Sequence, residues 1–168
     1  MDHGDIEIID FEPRYADAFR ELNLRWIRQY FQVEAEDERV LSRPGECIVD
    51  HGGQILFARL KTDGRIVVTC ALKQVSPGCV ELAKMAVDPA AQGRGVGNAL
   101  MAAAIERAAR MGADQIVLET NRVLTPAIRL YEKFGFRETP MPRGTPYTRS
   151  NLAMRLTLKR PRDAPAER

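Results

Sequence analysis

The feature that most constrains this chain is a glycine-rich segment near its centre, where a strand pattern gives way to a helix pattern. Gly93, Gly95 and Gly97 occupy alternate positions at the point where an alanine-rich stretch, residues 96–111, begins. Glycines let a backbone approach a bulky anion, and the unpaired amides and positive dipole at a helix start attract it. Arg94 adds a cation beside these amides. The segment therefore predicts a phosphate-binding turn rather than a merely flexible connection.

The spacing of these glycines narrows the kind of phosphate ligand. A dinucleotide-binding fold needs G-x-G-x-x-G directly after its strand, whereas this chain has G-x-G-x-G after a five-residue lead. A P-loop needs Gly-Lys followed by Ser or Thr, but Asn98 and Ala99 follow Gly97. The turn is therefore typical of neither a Rossmann domain nor a nucleoside triphosphatase.

The rest of the sequence alternates between the periodicities of strands and helices. Apolar residues recur at spacings of three and four over residues 15–30, which predicts an amphipathic helix. The predicted helices are residues 15–30, 34–41, 96–111 and 125–134, and the predicted strands are residues 6–9, 47–49, 55–58, 66–72, 80–87, 115–119 and 152–158, with a further strand starting at Phe136. This alternation implies one α/β domain over residues 1–158 with a mixed sheet, followed by a polar, disordered tail at residues 159–168.

Composition and charge exclude several classes of protein. The 168 residues carry 25 Lys and Arg against 23 Asp and Glu, and this net charge of +2 argues against a nucleic-acid partner. The longest apolar run, residues 99–105, is far short of the roughly 20 residues that cross a bilayer, so no membrane partner is expected.

Cysteines and histidines give no sign of a metal site. The three cysteines, Cys47, Cys70 and Cys79, have no C-x-x-C spacing and are interpreted as small buried hydrophobic residues in reduced form. The two histidines stand at no metal-binding spacing. Together with an acidic first segment unlike a secretion signal, these features predict a cytoplasmic protein without a metal.

Two blocks of this sequence resemble the GNAT acyltransferase family. Residues 81–105 look like its acetyl-CoA signature, Gln/Arg-x-x-Gly-x-Gly/Ala, in which Gln92, Gly95 and Gly97 fill the pattern. Residues 126–136 are similar to the second hallmark of the family, and the blocks are correctly ordered and spaced. The resemblance implies a single domain with a mostly antiparallel sheet of six to seven strands flanked by about four helices. It also implies acetyl-CoA as cosubstrate.

The resemblance further implies which residues bind acetyl-CoA, mostly through their main chain. Backbone groups of Met85, Ala86 and Val87 would hold pantetheine in the manner of a strand. The pyrophosphate would be bound by Gln92, Gly93, Arg94, Gly95, Val96, Gly97 and Asn98. Many members carry Asn at the position of Leu124, and the nearest asparagine here is Asn121, which is assigned with Ala127 to the pantetheine end.

Catalytic roles follow from the same resemblance. Tyr131 is expected to act as the general acid that protonates the departing thiolate, which a phenol can do because its pKa lies within about two units of that of a thiol. Glu81 is the first candidate for the base that accepts the amine proton, and Glu119 is the second. A water chain, or an amine that is already neutral, would remove the need for a base. No cysteine is paired with a histidine, which argues against an acyl-cysteine route.

The acceptor is less constrained by the sequence. Trp26, Tyr30 and Phe31 could form an aromatic wall, although this spacing is more typical of core. A cluster before the last strand could bind a carboxylate-bearing amine or could be solvated loop residues: Arg143, Tyr147, Arg149 and Asn151. The prediction is an N-acetyltransferase that acts on a primary amine of a small metabolite or amino-acid-like molecule by direct attack in a ternary complex. A protein lysine or N-terminal acetyltransferase, and a non-catalytic acyl-CoA sensor, are the alternatives, and a homodimer is possible.

Overall fold

A seven-stranded sheet runs through the computed structural model, which describes residues 3–158. The order of its strands is β1-β2-β3-β4-β5-β7-β6, and every neighbouring pair is antiparallel except β4 and β5. The strands are β1 Ile6–Asp10, β2 Gln54–Leu60, β3 Ile66–Ser76, β4 Cys79–Val87, β5 Gln115–Thr120, β6 Arg137–Thr139 and β7 Leu152–Thr157. The helices are α1 Ala16–Tyr30, α2 Ala35–Ser42, α3 Pro44–Cys47, α4 Val96–Arg110 and α5 Thr125–Lys133. The predicted mixed, mostly antiparallel α/β fold is confirmed.

Helices cover both faces of the sheet because each face is apolar. On one face, α4 and α5 bury residues such as Leu100 and Met101 against Val68 and Ile116. On the other face, α1, α2 and α3 bury a second set of side chains, among them Phe19, Ile27 and Leu41, against β2 and β3. This arrangement follows from the apolar stripe of α1 and the alternation of the strands.

The parallel pair β4 and β5 is joined over only a short stretch. Cys79, Val80 and Glu81 pair with residues 115–117, and the two strands have no further paired residues although both continue. Three residues beyond the last pair, Lys84 adopts a left-handed φ of 53°, at an irregularity in the register between β3 and β4. Such bulges bend a strand and redirect its side chains. The strands therefore diverge, and a cleft opens between them.

The prediction of a strand at residues 47–49 is wrong. Pro44 opens the short helix α3, and a 3-10 turn, Val49–His51, follows it directly. Proline is well suited to a first helical turn, and Gly52, with φ of 83°, lets the chain reverse before β2 begins. Ile48 is buried within this compact turn. Its apolar character therefore serves the core beneath α1 rather than a strand.

The other predicted elements correspond to observed ones with shifts of a few residues at their ends. Cys70 and Cys79 are buried as interpreted, whereas Cys47 is partly exposed. The predicted tail, residues 159–168, lies outside the described residues. Within residues 3–158, no helix combines the length and the apolar character needed to cross a bilayer.

Candidate active site

A cleft of about 510 Å³ lies where β4 and β5 separate. It contains most of the residues that the sequence assigned to acetyl-CoA and catalysis: Glu81, Met85, Ala86, Val87, Gln92, Gly93, Gly95, Val96, Gly97, Asn98, Asn121, Ala127 and Tyr131. Arg94 is absent from the lining and is exposed. A second cavity of about 480 Å³, on the other side of α5, contains none of these residues.

The glycine turn forms one end of the cleft. Gly93 and Gly95 have φ values of 77° and 76°, a left-handed conformation that disfavours any residue with a Cβ. A Cβ at Gly97 would lie 3.5 Å from Leu130 Cδ2 and 3.8 Å from Val87 Cγ2, which is ordinary van der Waals contact. Gly93 and Gly95 therefore shape the turn through their backbone conformation.

The amides of this turn are free to bind a ligand. Among the described residues, no protein acceptor takes a hydrogen bond from the amides of residues 93–98, and the first helical bond of α4 runs from the Ala99 amide to the Gly95 carbonyl at 3.2 Å. Free amides at a helix start are donors for an anion, and the helix dipole adds to their attraction. This end of the cleft can therefore bind a diphosphate.

The unpaired edge of β4 forms the floor next to the turn. On one side, Ala86 and Val87 pair with Thr69 and Val68 of β3. On the other side, the pairing with β5 ends at Glu81, and no strand within residues 3–158 continues the ladder. Exposed strand edges bind extended ligands through their main-chain groups. Backbone groups of Met85, Ala86 and Val87 are available for that purpose.

Tyr131 projects from α5 into the same cleft and is only 8% exposed. Its ring lies 5.9 Å from that of Phe136. Burial raises the pKa of Tyr131 to about 12, because a phenolate would lose its hydration. The phenol therefore keeps its proton over the whole ordinary pH range.

Two carboxylates lie on the floor between β4 and β5. Glu81 is opposite Val117 in the register, so Glu119 follows two residues further along the neighbouring strand, on the same face of the sheet. Burial raises the pKa of Glu81, the charge of Lys73 opposes this shift, and the charge of Glu119 adds to it. Oε1 of Glu119 is buried and has no hydrogen-bond partner among the described residues. A carboxylate with a raised pKa and one with an unsatisfied oxygen thus share this part of the cleft.

Asn121 lines the cleft, but its side chain is already engaged. Its Nδ2 donates to the Arg149 carbonyl at 2.7 Å, and its Oδ1 accepts from the Val123 amide at 2.9 Å. These bonds connect the turn after β5 with the entry to β7. In this structure the side chain of Asn121 therefore serves to shape the wall of the cleft.

A buried charge cluster that the sequence analysis missed stands at the far end of the cleft. Asp37 of α2 is 0% exposed and accepts from Lys84 Nζ at 2.8 Å and from Arg149 Nη1 and Nη2 at 2.7 and 2.6 Å. Arg149 also donates to Glu34 at 3.2 Å. These donors hold the pKa of Asp37 at about 2 although burial alone would raise it. The cluster joins α2, the bulge of β4 and the segment before β7, which no local sequence signal connects.

Aromatic side chains surround this cluster. The Arg149 guanidinium carbon lies 5.8, 5.9 and 4.6 Å from the ring centroids of Trp26, Phe31 and Tyr147. Tyr30 completes the wall. The structure thus places Trp26, Tyr30 and Phe31 on the cleft rather than wholly in the core. Of the cluster predicted before the last strand, Tyr147 and Arg149 reach the cleft, while Arg143 and Asn151 are not part of its lining.

The profile of the acetyltransferase (GNAT) family matches residues 16–136. This chain belongs to the GNAT acetyltransferase family. An uncharacterized N-acetyltransferase of Schizosaccharomyces pombe is 38% identical over 132 residues, which cover 76% of this chain and 79% of that protein. A mycothiol acetyltransferase of Clavibacter sepedonicus is 38% identical over 84 residues, half of this chain and 27% of that protein. The chain thus spans only a small part of that relative.

Among solved structures, yncA from Salmonella typhimurium is described as an acetyltransferase and was determined with its cofactor acetyl-CoA. It matches this chain with a TM-score of 0.73 and 20% sequence identity. The match covers 96% of this chain and 98% of that one. At this identity the likeness concerns the fold. The GNAT family match ends at Phe136, so Tyr147 and Arg149 lie beyond it. These two residues line the cleft together with residues that lie inside the matched range, such as Trp26 and Lys84.

We expect Asp37→Ala to destabilise the protein by about 3–5 kcal/mol, because it leaves the cations of Lys84 and Arg149 buried without their partner. Chemical denaturation monitored by circular dichroism measures the change. Glu106→Ala, on the exposed side of α4, is the matched control and should cost less than about 1 kcal/mol. Equal stability of the two variants would contradict this account of the cluster.

Proposed function

We propose that this GNAT acetyltransferase transfers an acetyl group from acetyl-CoA to the primary amine of a small metabolite, by direct attack in a ternary complex. The observation that carries this proposal is the set of free amides at residues 93–98, which open into the cleft that also contains Tyr131 and Glu81. The amides can bind the diphosphate of the cosubstrate at one end of the cleft. Further along, a phenol and a carboxylate can transfer the protons in the aminolysis of its thioester.

The cleft fits acetyl-CoA on its own features. The free amides match a pyrophosphate, and the unpaired edge formed by Met85, Ala86 and Val87 matches the amide groups of pantetheine. The acetyl-CoA complex of the yncA protein supports this choice of cosubstrate. Bound in this orientation, pantetheine would direct the thioester towards the space between Tyr131 and Glu81.

The chemistry follows from three groups. The acceptor amine loses a proton to Glu81 and attacks the thioester carbonyl, and an amide at the end of β4 stabilises the negative charge on oxygen, an effect that typically contributes about 10²–10³-fold. As the carbon–sulfur bond breaks, Tyr131 donates its proton to the leaving thiolate. The products are an acetamide and free coenzyme A.

A small acceptor is favoured by the side chains that occupy one end of the cleft. The cluster around Asp37 and the rings of Trp26, Phe31 and Tyr147 limit the room for a polypeptide. The mycothiol acetyltransferase relative acts on a small molecule by its name, which supports the same class.

The release of free thiol from acetyl-CoA, measured against a panel of small amines, peptides with a lysine and peptides with a free N-terminus, tests the proposal. We expect release with small amines and little with peptides. Binding of acetyl-CoA without thiol release for any acceptor would instead identify a non-catalytic sensor. A preference for peptides would identify a protein acetyltransferase.

We expect Gly95→Asp to weaken coenzyme A binding by at least about 100-fold, because it adds strain and a negative charge to an anion site. Isothermal calorimetry with coenzyme A measures the affinity. Gly112→Asp is the matched control, since Gly112 also has a positive φ, 87°, and open space around its Cβ but lies after the other end of α4. Equal affinities for the two variants would show that the turn is not the pyrophosphate site.

We expect Tyr131→Phe to lower kcat by about 10²-fold or more while leaving the affinity for acetyl-CoA nearly unchanged, because only the proton donor is lost. Steady-state kinetics and calorimetry separate the two effects. Tyr15→Phe is the control, since the Tyr15 hydroxyl accepts from Arg59 at 3.3 Å outside the cleft. Normal kcat in Tyr131→Phe would remove Tyr131 from the acid role.

The pH dependence of kcat reports on Glu81 and Tyr131. We expect kcat to fall at low pH through a pKa above about 4.3, the usual value for glutamate, because burial raises the pKa of Glu81 and only the carboxylate accepts a proton. No fall is expected up to pH 10, because the pKa of Tyr131 is about 12. In Glu81→Gln the acid limb should disappear as kcat drops. If the fall of kcat at low pH were unchanged in Glu81→Gln, the general base would be a group other than Glu81.

A further inference from the structure

We propose that the acceptor is a primary amine with an aromatic or apolar body and no carboxylate, and that Glu119 binds its amino group. This inference rests on the proposed function and narrows its substrate. It is carried by the distribution of charge at the acceptor end of the cleft, defined here as the part between Glu81, Glu119, Trp26 and Tyr147.

Two cations at the acceptor end, Lys84 and Arg149, are already paired with protein carboxylates. Lys84 and Arg149 both donate to Asp37, and Arg149 donates to Glu34 as well. Both cations also contact the ring of Tyr147: Lys84 Nζ lies 4.4 Å from its centroid, and the Arg149 guanidinium carbon lies 4.6 Å from it. Two cations therefore meet two carboxylates, and their donors are directed into the protein. A substrate carboxylate would have to compete with Asp37 for them.

The carboxylates on the floor are not balanced in the same way. Lys73 is the register partner of Glu81 on β3, and its charge acts on that carboxylate. Glu119 has no ion-pair partner among the described residues, and its buried Oε1 accepts no hydrogen bond. A buried acceptor without a donor costs stability, so such an atom in a cleft marks the place of a ligand donor. The complementary group is an N–H, and an ammonium satisfies both the hydrogen bond and the charge.

The walls at this end select the remainder of the acceptor. Trp26, Tyr30 and Phe31, at or just after the end of α1, line this end together with Tyr147 from the segment before β7. Trp26 and Phe31 meet edge to face, with ring centroids 6.2 Å apart. Aromatic walls favour an apolar or aromatic body, and the excess negative charge of Glu119 repels an anionic one.

Three probes of the same size class test the absence of a carboxylate. We expect 2-phenylethylamine and phenylalanine methyl ester to be acetylated with kcat/KM at least ~10-fold above that of phenylalanine, the ratio that corresponds to about 1.4 kcal/mol of repulsion. The ester keeps the bulk of the carboxyl group without its charge. Equal or better use of phenylalanine would overturn the proposal, and so would an ester as poor as phenylalanine, since bulk would then explain the difference.

The role of Glu119 is tested by binding. Trp26 is the single tryptophan of the chain and stands in the acceptor end, so its fluorescence reports on occupancy there. With coenzyme A bound, Glu119→Gln should weaken 2-phenylethylamine binding about tenfold, the difference between a charged and a neutral hydrogen bond. The affinity for coenzyme A should stay unchanged. Glu106→Gln, on the exposed side of α4, is the matched control and should bind as the wild type does.

The outcomes separate this inference from the proposed function. Thiol release with amino acids but not with phenylethylamine would leave the transferase proposal standing and overturn this one. Failure of phenylethylamine to change Trp26 fluorescence, or equal binding by Glu119→Gln and the control, would also overturn it. The proposal that the protein is a transferase fails only if no member of the panel of small amines and peptides causes release of thiol from acetyl-CoA.

Discussion

The short pairing of β4 with β5 is the constraint on which the rest of this molecule depends. Three residue pairs hold the two strands together, and beyond Glu81 they separate. The separation leaves the edge of β4 at Met85, Ala86 and Val87 unpaired on the side of β5 and makes room for Tyr131 from α5. A continuous ladder would fill this space and satisfy the edge. The cleft is therefore a consequence of sheet geometry, and the bulge at Lys84 with its φ of 53° marks the place where the geometry changes.

The two ends of the cleft use different kinds of group. At the glycine turn, free main-chain amides face the ligand space, so the identity of most side chains there matters little. At the acceptor end, side chains from α1, β3, β4, β5 and the segment before β7 supply the chemistry. Arg94 illustrates the difference, since it lies in the signature yet outside the lining. Changes in side chains at the acceptor end can therefore alter specificity while the main chain of the turn is kept.

Local signals made much of this fold predictable. The glycine turn and the helices α1, α4 and α5 could be predicted from the spacing of apolar residues and from glycine and proline at the ends of elements. The strand predicted at residues 47–49 failed because β-branched residues there favoured a strand, while Pro44 and Gly52 set a helical turn that buries Ile48. The cluster of Asp37, Lys84 and Arg149 could not be predicted, since its members are far apart in sequence and no single residue indicates its partners. Candidate catalytic residues on a known motif could be named from the sequence, whereas the shape of the acceptor end could not be predicted from it.

The Asp37 cluster and the unsatisfied Glu119 have opposite effects on stability. Asp37 has a folded pKa of about 2, below the value of about 3.9 for an unfolded chain, so it stabilises the fold above pH 4 and this contribution is lost as the pH falls towards 2. The linkage is worth on the order of 2 kcal/mol. A buried acceptor without a donor costs a similar amount, about 1–3 kcal/mol. The stabilisation from the Asp37 cluster, which joins α2, β4 and the segment before β7, can thus offset the cost of the unsatisfied Glu119 oxygen. In our proposal the amino group of the substrate supplies the missing hydrogen bond.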